Sequence, residues 1–263
     1  MCHAVRDKLY LKLMKFSIRH GLLLAGLMVM SYPLACGQDW VSLFNGLNLE
    51  GWSVKCFEKD RDKPFWTVEG GMIISQSLGS TDHGYIWLQS EKEFEDFELR
   101  LNFSACRDHK GNSGIQVRSR WDPDAEVEKE GRGWLDGPQV DIEVAAPFRN
   151  GWIYDETRDV KHWIDPVLPD WKITPEDVEQ RKVIHYWADE EPGWNDMRIV
   201  CEGTRITTWV NGILIADYDG SGVLDDEAHS KYGVGMKGHI AIQLHKNSEN
   251  HMRFRDIEIR ILD

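Results

Sequence analysis

The stretch DFELRLNFSA, Asp96 to Ala105, alternates without a break. Phe97, Leu99, Leu101 and Phe103 fall on one face, and Glu98, Arg100 and Asn102 on the other. Successive side chains of a strand point to opposite sides of a sheet, so this period predicts a β-strand with one face in a core. The same period recurs in GIQVRS, QVDIEV, DMRIVCEG, HIAIQLH and DIEIRIL, and no long helical period interrupts them. ITTWV and ILIADY flank Asn211-Gly212, a pair suited to a type I′ turn, which predicts a hairpin. Many short strands with turn residues between them predict an all-β chain, a β-sandwich or jelly roll.

One stretch departs from the rhythm. Residues 144–195, rich in Trp, Pro and acids, read as a long insertion between two strands. Thr174-Pro175-Glu176-Asp177 has an N-cap residue followed by Pro at the first helical position, which predicts a helix from Pro175 to about His185. Insertions of this length on a β scaffold serve either as binding loops or as flaps over a sheet edge, and the residues leave both open.

The chain has 263 residues, and its 41% hydrophobic content is enough for one substantial core. Residues 1–37 read as a secretory signal. Lys12, Lys15 and Arg19 precede the apolar run GLLLAGLMVM, Gly21 to Met30, and small residues follow at Leu34 to Gly37. Such a run is too short to span a bilayer stably. Cleavage after Gly37 would leave residues 38–263 as the mature domain; alternatively, Cys36 is lipidated and anchors the chain to a membrane. Either way the expected location is outside the cytoplasm: periplasmic, or on the outer membrane or cell surface as a lipoprotein. Segment 1–37 carries five basic residues and one acid, which leaves 26 basic against 43 acidic in the remainder. A surface that acidic repels phosphate backbones, so nucleic acid is not an expected partner. Cys56, Cys106 and Cys201 are too widely spaced for a disulfide framework or a paired-cysteine metal site. Of the twelve Trp residues, two or three are expected to line a site, and the others to fill the core.

The candidate site begins at QVDIE. Gln139, Asp141 and Glu143 share one face of that strand, and Val140 and Ile142 the other. In GIQVRSR, Ile115 and Val117 point inward while Gln116 and Arg118 point out. In HIAIQLH, Gln243 and His245 lie opposite Ile242 and Leu244. If these strands are neighbours, they make a polar floor suited to a polyhydroxylated ligand. Residues two apart on a strand have Cα atoms about 6.7 Å apart. Asp141 and Glu143 could therefore share a proton, with one of them in a general-acid range, or bind a divalent metal ion with His245 as third ligand. The bland alternative is two solvated acids binding a sugar without chemistry. QVDIE also resembles the E-x-D-x-E strand of retaining jelly-roll glucanases. The neutral Gln139 stands where those enzymes keep a nucleophile, so double displacement through this strand is not expected.

Seven segments in order extend the pattern: WVSLFNGLNLEGW (Trp40 to Trp52), GNSGIQVR (Gly111 to Arg118), GPQVDIE, GWIYDE (Gly151 to Glu156), WNDMRIVCEGTRITTWVNG (Trp194 to Gly212), GHIAIQLH (Gly238 to His245) and FRDIEI (Phe254 to Ile259). Together they resemble the 3-keto-disaccharide hydrolase domain family across essentially the whole mature chain. The resemblance implies a concanavalin A-like jelly roll, exported or lipid-anchored, that acts on glycosides oxidised at C3. A ketone at C3 acidifies the C2 proton. A base removes it, the glycosidic oxygen leaves with help from an acid, and water adds to the enone. On this reading Asp141 or Glu143 is the base, His245 is the acid or a metal ligand, and Arg118 and Gln243 are donors to the oxyanion and hydroxyls. Gln116 and Gln139 contribute to the same polar floor. Tyr154, Glu156 and Arg158 in IYDETR either close over the site or cap the insertion. No cofactor beyond the possible metal is expected.

Two other classes remain at this stage: a non-catalytic carbohydrate-binding module using the same face, and a surface scaffold that binds protein. DYDGSGVLDDEA, Asp217 to Ala228, imitates a calcium loop but ends in Ala where Glu is required, so a polar connection is expected there. HExxH, GxSxG and P-loop patterns are absent.

Overall fold

The computed structural model describes residues 39–107, 109, 111–127, 131–145, 148–168, 172–181 and 183–262. The signal segment and Cys36 lie outside the described residues. In chain order the strands are β1 (Val41–Ser42), β2 (Trp52–Cys56), β3 (Trp66–Glu69), β4 (Met72–Gln76), β5 (Ile86–Phe94), β6 (Phe97–Ala105), β7 (Asn112–Val127) and β8 (Gly131–Asp136). There follow β9 (Pro138–Glu143), β10 (Ile153–Asp155), β11 (His162–Asp165), β12 (Asn195–Glu202), β13 (Arg205–Val210), β14 (Ile213–Asp219), β15 (Gly238–Leu244) and β16 (His251–Ile261). Two short helices, α1 (Pro175–Gln180) and α2 (Glu227–Tyr232), sit in connections.

The strands form two antiparallel sheets. One runs β14-β13-β12-β6-β16-β4-β3, with β1 beside β16. The other runs β11-β10-β9-β7-β15-β5-β2, with β8 folded back on β7. Phe97, Leu99, Leu101 and Phe103 of β6 are all buried, as their alternation predicts, and share one core with Ile115, Val117, Val140, Ile142 and Ile242 of the second sheet. A smaller apolar cluster, Phe57, Trp87, Trp134, Leu135 and Ala241, lies on the second sheet's other side, where β8 covers part of it. The predicted hairpin is present. Asn211 and Gly212 both have positive φ, +51° and +75°, as a type I′ turn requires.

The long insertion differs from its expected form. It contributes β10 and β11, which extend the second sheet past β9. Its helix starts where predicted: Thr174 accepts from the Asp177 amide, and the Asp177 carboxylate accepts from the Thr174 amide. It ends at Gln180, short of His185. No residue of α1 is fully buried and only Val178 of the helix packs against the core, so little packing carries a marginal helix further. The calcium-loop imitation ends in a helix cap, with Asp226 accepting from the His229 amide at the start of α2.

Candidate functional site

Strand order brings the polar strands together. Gln243 of β15 lies opposite Gly114 of β7, and Gly114 opposite Asp141 of β9. On the other side of β9, Tyr154 of β10 faces Gln139. Directly opposed residues share a face, so Gln243, Asp141, Gln139 and Tyr154 belong to one surface, turned away from the main core. Gly114 is required there. A Cβ at that position would stand 2.5 to 2.7 Å from three atoms of the Gln139 side chain, which lies across the floor through the gap. Gln139 reaches Asp141 Oδ1 from 3.4 Å and leaves its own Oε1 without a partner.

The expected half-burial of this face is exceeded, since every residue of β9 is buried. Residues of segment 144–195, from Arg149 to Ile173, stand around it. The result is an open cavity of about 470 Å³ whose floor includes Gln139 and Asp141. Its walls include Tyr85, Trp134, Tyr154 and Trp163, so among the described residues two Trp line it. Glu156 enters from the end of β10, anchored by its backbone. Its amide donates to Gly137, and its carbonyl accepts from Trp134 Nε1 at 2.9 Å. Arg149 stands over Trp163, donating to Asp141 Oδ2 at 3.3 Å and to Glu143 Oε2 at 2.8 Å. Lys161 lies 3.5 Å from the centre of the Trp134 ring.

Burial sets the electrostatics. Asp141 is pushed up to about 7 by desolvation, to which Glu143 adds and against which Arg149 works. Glu156 is also pushed up to about 7 by desolvation, with Lys161 opposing and Asp141 and Asp155 adding. Two neighbouring buried carboxyls therefore hold protons near neutrality. Desolvation and nearby carboxylates keep the Tyr154 hydroxyl protonated. His245 is pushed down, chiefly by desolvation, and is neutral. Its Nδ1 sits 3.0 Å from the Lys246 carbonyl, which can only accept, so Nδ1 carries the proton. Nε2 is then a lone pair facing the Tyr85 hydroxyl at 3.3 Å.

Several sequence candidates lie elsewhere. Arg118 is fully buried away from the cavity. The β7–β15 register shifts beside it, its φ is +49°, and the alternation that placed it with Gln116 is broken. It donates to the carbonyls of Glu95 and Gly235 and to the Asp96 carboxylate. Arg158 binds Asp136 and Asp122 and lies against Tyr232, outside the cavity. Gln116 lies beneath β8, donating to the Leu135 carbonyl. Glu143 is tied down by Asn112, the Ala145 amide and Arg149, so it orients Arg149 rather than facing the cavity. Gln243 lies close enough to Glu156 to favour its ionised form, yet neither amide atom completes a hydrogen bond. Among the described residues no three His, Cys, Asp or Glu side chains gather to hold a metal ion. The set Asp141, Glu143 and His245 therefore does not fit one, with Arg149 bound to both acids.

Sequence reading missed Arg149, Lys161 and Tyr85. The first two sit outside regular alternation and carry no periodic signal. Tyr85 had one: in YIWLQ, Tyr85 and Trp87 alternate with the core residues Ile86 and Leu88.

Solved structures share this architecture. A Parabacteroides distasonis ATCC 8503 protein assigned to the glycosyl hydrolases has a TM-score of 0.52 at 19% identity, over 85% of this chain and 94% of that one. A second such protein from the same organism has a TM-score of 0.50 at 22% identity, over 85% and 100%. The exoplasmic/lumenal domain of VIP36, in its Ca²⁺/Man3GlcNAc-bound form, has a TM-score of 0.52 at 10% identity, over 84% and 88%. At such identities the likeness is one of fold, a jelly-roll sandwich of the concanavalin kind. No curated protein sequence matches the chain. Between Asp39 and Arg260 its sequence fits the 3-keto-alpha-glucoside-1,2-lyase-like domain, and the chain belongs to that family.

Proposed function

We propose that the chain cleaves 3-keto-glycosides by removing the C2 proton, expelling the C1 oxygen and hydrating the product. The observation that carries this reading is the pairing of opposites in one cavity: a neutral imidazole with its lone pair presented at Nε2, and a proton-holding carboxyl pair. His245 Nε2 takes the C2 proton, and the electron pair moves onto the C3 oxygen as an enolate. The enolate collapses, the C1–O bond breaks, and the departing oxygen takes a proton from the Asp141–Glu156 pair. Arg149 and Lys161 supply positive charge for the enolate. Water then adds across the C1–C2 double bond. No step needs a carboxylate where Gln139 stands. Gln139 and Gln243 keep unpartnered amide atoms near the acids, and sugar hydroxyls would satisfy them.

A non-catalytic sugar-binding role is the second reading. The aromatic walls favour it, because Trp134, Trp163, Tyr85 and Tyr154 suit stacking on a sugar ring whether or not chemistry follows. The deciding experiment offers the mature domain α- and β-3-keto-glucosides and their unoxidised counterparts, and follows aglycone release. Release from keto sugars alone supports elimination. His245→Gln and Asp141→Asn should then lower kcat by about 10²–10⁴ while KM moves little. Binding without release from any of these sugars would leave the second reading. We further propose that the chain is exported through residues 1–37, either cleaved after Gly37 or lipidated at Cys36. Fractionation of cells carrying wild type and Cys36→Ala would separate these outcomes.

A further inference from the structure

The strand ladder stops one residue short of His245. The paired strands β5 and β15 end at Ile86 and Leu244, which lie opposite each other. Tyr85 and His245 meet just past that pair, edge to face, with ring centres 4.9 Å apart. The His245 amide reaches the Asn112 carbonyl at 3.3 Å, a long bond. Yet each ring nitrogen of His245 has a set partner: the Lys246 carbonyl at Nδ1 and the Tyr85 hydroxyl at Nε2. Both partners stand on segments beyond the ladder, so a tie outside the sheet must keep those segments in register.

A second histidine supplies that tie. His83 is fully buried and does not line the cavity. Its Nδ1 sits 2.8 Å from the Gly84 carbonyl, and its Nε2 3.0 Å from the Ser248 carbonyl. Carbonyls only accept, so each contact is made by a ring N–H. The imidazolium makes both, and a neutral ring one at a time. The His83 carbonyl also accepts from the Asn247 amide at 3.1 Å. His83 thus joins the segment carrying Tyr85 to the turn after His245 through both side chain and backbone. Ser248 closes the circuit, its hydroxyl donating to the His245 carbonyl at 3.1 Å. The Tyr85 segment is fixed from behind as well. The Gly84 amide donates to the buried Asp60 at 2.8 Å, and Asp60 meets Lys63 at 2.7 Å. A Cβ at Gly84 would stand 2.2 Å from an atom of the Phe57 ring, so the segment is pressed close there.

We propose that His83 is a positioning residue for the base: it locks the Tyr85 segment to the turn Lys246–Ser248, and so holds His245 with its proton on Nδ1 and its lone pair on Nε2. This rests on the reading of His245 as the base, and adds the residue that sets its tautomer. Burial lowers the proton affinity of His245, and the Lys246 carbonyl is the foremost group working against it. The contact that fixes the tautomer therefore also preserves the strength of the base.

NMR of the histidine ring nitrogens reads the tautomer directly and needs no substrate. Wild type should show His245 protonated at Nδ1. His83→Phe keeps a ring against Phe65 and removes both side-chain ties. Its His245 signals should move toward a mixture of tautomers. Its kcat on a 3-keto-glucoside should fall about tenfold to a hundredfold, with KM changed by less than about twofold. His83→Gln keeps a donor for the Ser248 carbonyl and should lie between His83→Phe and wild type in both readouts. Ser248→Ala cuts the turn's tie to the His245 carbonyl and leaves His83 in place. It should shift the tautomer to a smaller degree, and it carries the test if the His83 variants fail to fold. The proposal is overturned if His245 keeps its Nδ1 proton in every folded variant. It is also overturned if substrate affinity and kcat fall in step, as general loosening would produce. If wild type releases no aglycone from any keto sugar, the elimination reading fails, while the tautomer comparison still decides whether His83 positions His245.

Discussion

At the scale of single residues, Gly114 and Arg118 show how one strand serves two purposes. Gly114 is held open for the Gln139 side chain, and the clash on adding a Cβ falls on atoms of that side chain rather than on backbone. Gly114→Ala should therefore fold, at a cost of about 1–3 kcal/mol, with Gln139 displaced from the floor. Substrate affinity should fall more than thermal stability; unchanged KM would show that Gln139 does not touch the sugar. Four residues along, Arg118 has no cavity to serve. Its guanidinium gathers backbone carbonyls and Asp96 at the turns, and Asp96 stays about a third exposed. Arg118→Met should cost about 2–4 kcal/mol in urea unfolding, less than a fully buried orphan charge, because Asp96 keeps water and the Gly203 amide. Turnover per folded molecule should hold, and its loss would return Arg118 to the site. Nothing in IQVRS separates these fates. Gln116 and Arg118 obey the same alternation on paper, and only the register shift against β15 sends the arginine elsewhere.

At the scale of elements, β10 and its following turn form the piece that makes the floor a cavity. It delivers Tyr154, Glu156 and Lys161, and its own anchors lie on the far side. Asp155 is fully buried against His229 Nε2 at 2.8 Å, and His229 Nδ1 meets Asp226 at 2.8 Å. Burial alone would lower the His229 pKa, but the two carboxylates win and hold it raised, so the imidazolium pins α2 to β10. His229→Leu leaves Asp155 buried and unpaired, which should cost about 3–5 kcal/mol. His229→Gln retains one donor and should cost less. Hydrogen exchange should show loosening confined to α2 and residues 153–161 in both variants. A uniform change across both sheets would refute this local role. Much of the fold was legible because alternation survives in β6, β9, β12 and β15, and in β7 as far as Val117, where one face is always core. The role of segment 144–195 was not legible. Which loop covers an outer sheet face depends on contacts between residues far apart in sequence, and no local period records them. The same gap explains why Asp141 and Gln139 were read correctly as neighbours, while Arg149, which binds two acids of that row, was missed.

At the scale of the whole molecule, the buried acids and His229 push stability the same way with pH. Asp141 and Glu156 keep their protons to about 7 when folded but lose them near 4 when unfolded. Between those values the folded state binds more protons than the unfolded chain, so stability falls as pH rises through that window. His229 adds to the fall. Its raised folded pKa means that its contribution is present below the ordinary histidine range and is lost on rising through the raised value. The surface acids act in a different window. Asp122, Asp217 and Glu93 are held low by arginine partners despite some opposing burial, so their contribution is lost only in acid, below about pH 4. The excess of acids adds repulsion as the remaining carboxyls ionise. The stability maximum should therefore lie near pH 4–5, on the acid side of neutral. Urea unfolding from pH 4.5 to 8 should show a loss on the order of 4 kcal/mol, at about 1.4 kcal/mol for each pKa unit and allowing for coupling between the two acids. The double variant Asp141→Asn, Glu156→Gln removes both carboxyls and should flatten most of that slope. The residual slope then belongs to His229 and the surface. Stability that rises between pH 5 and 7.5 would mean that the cavity acids are ionised in the folded protein, and with that the proton donor of the proposed elimination would be gone.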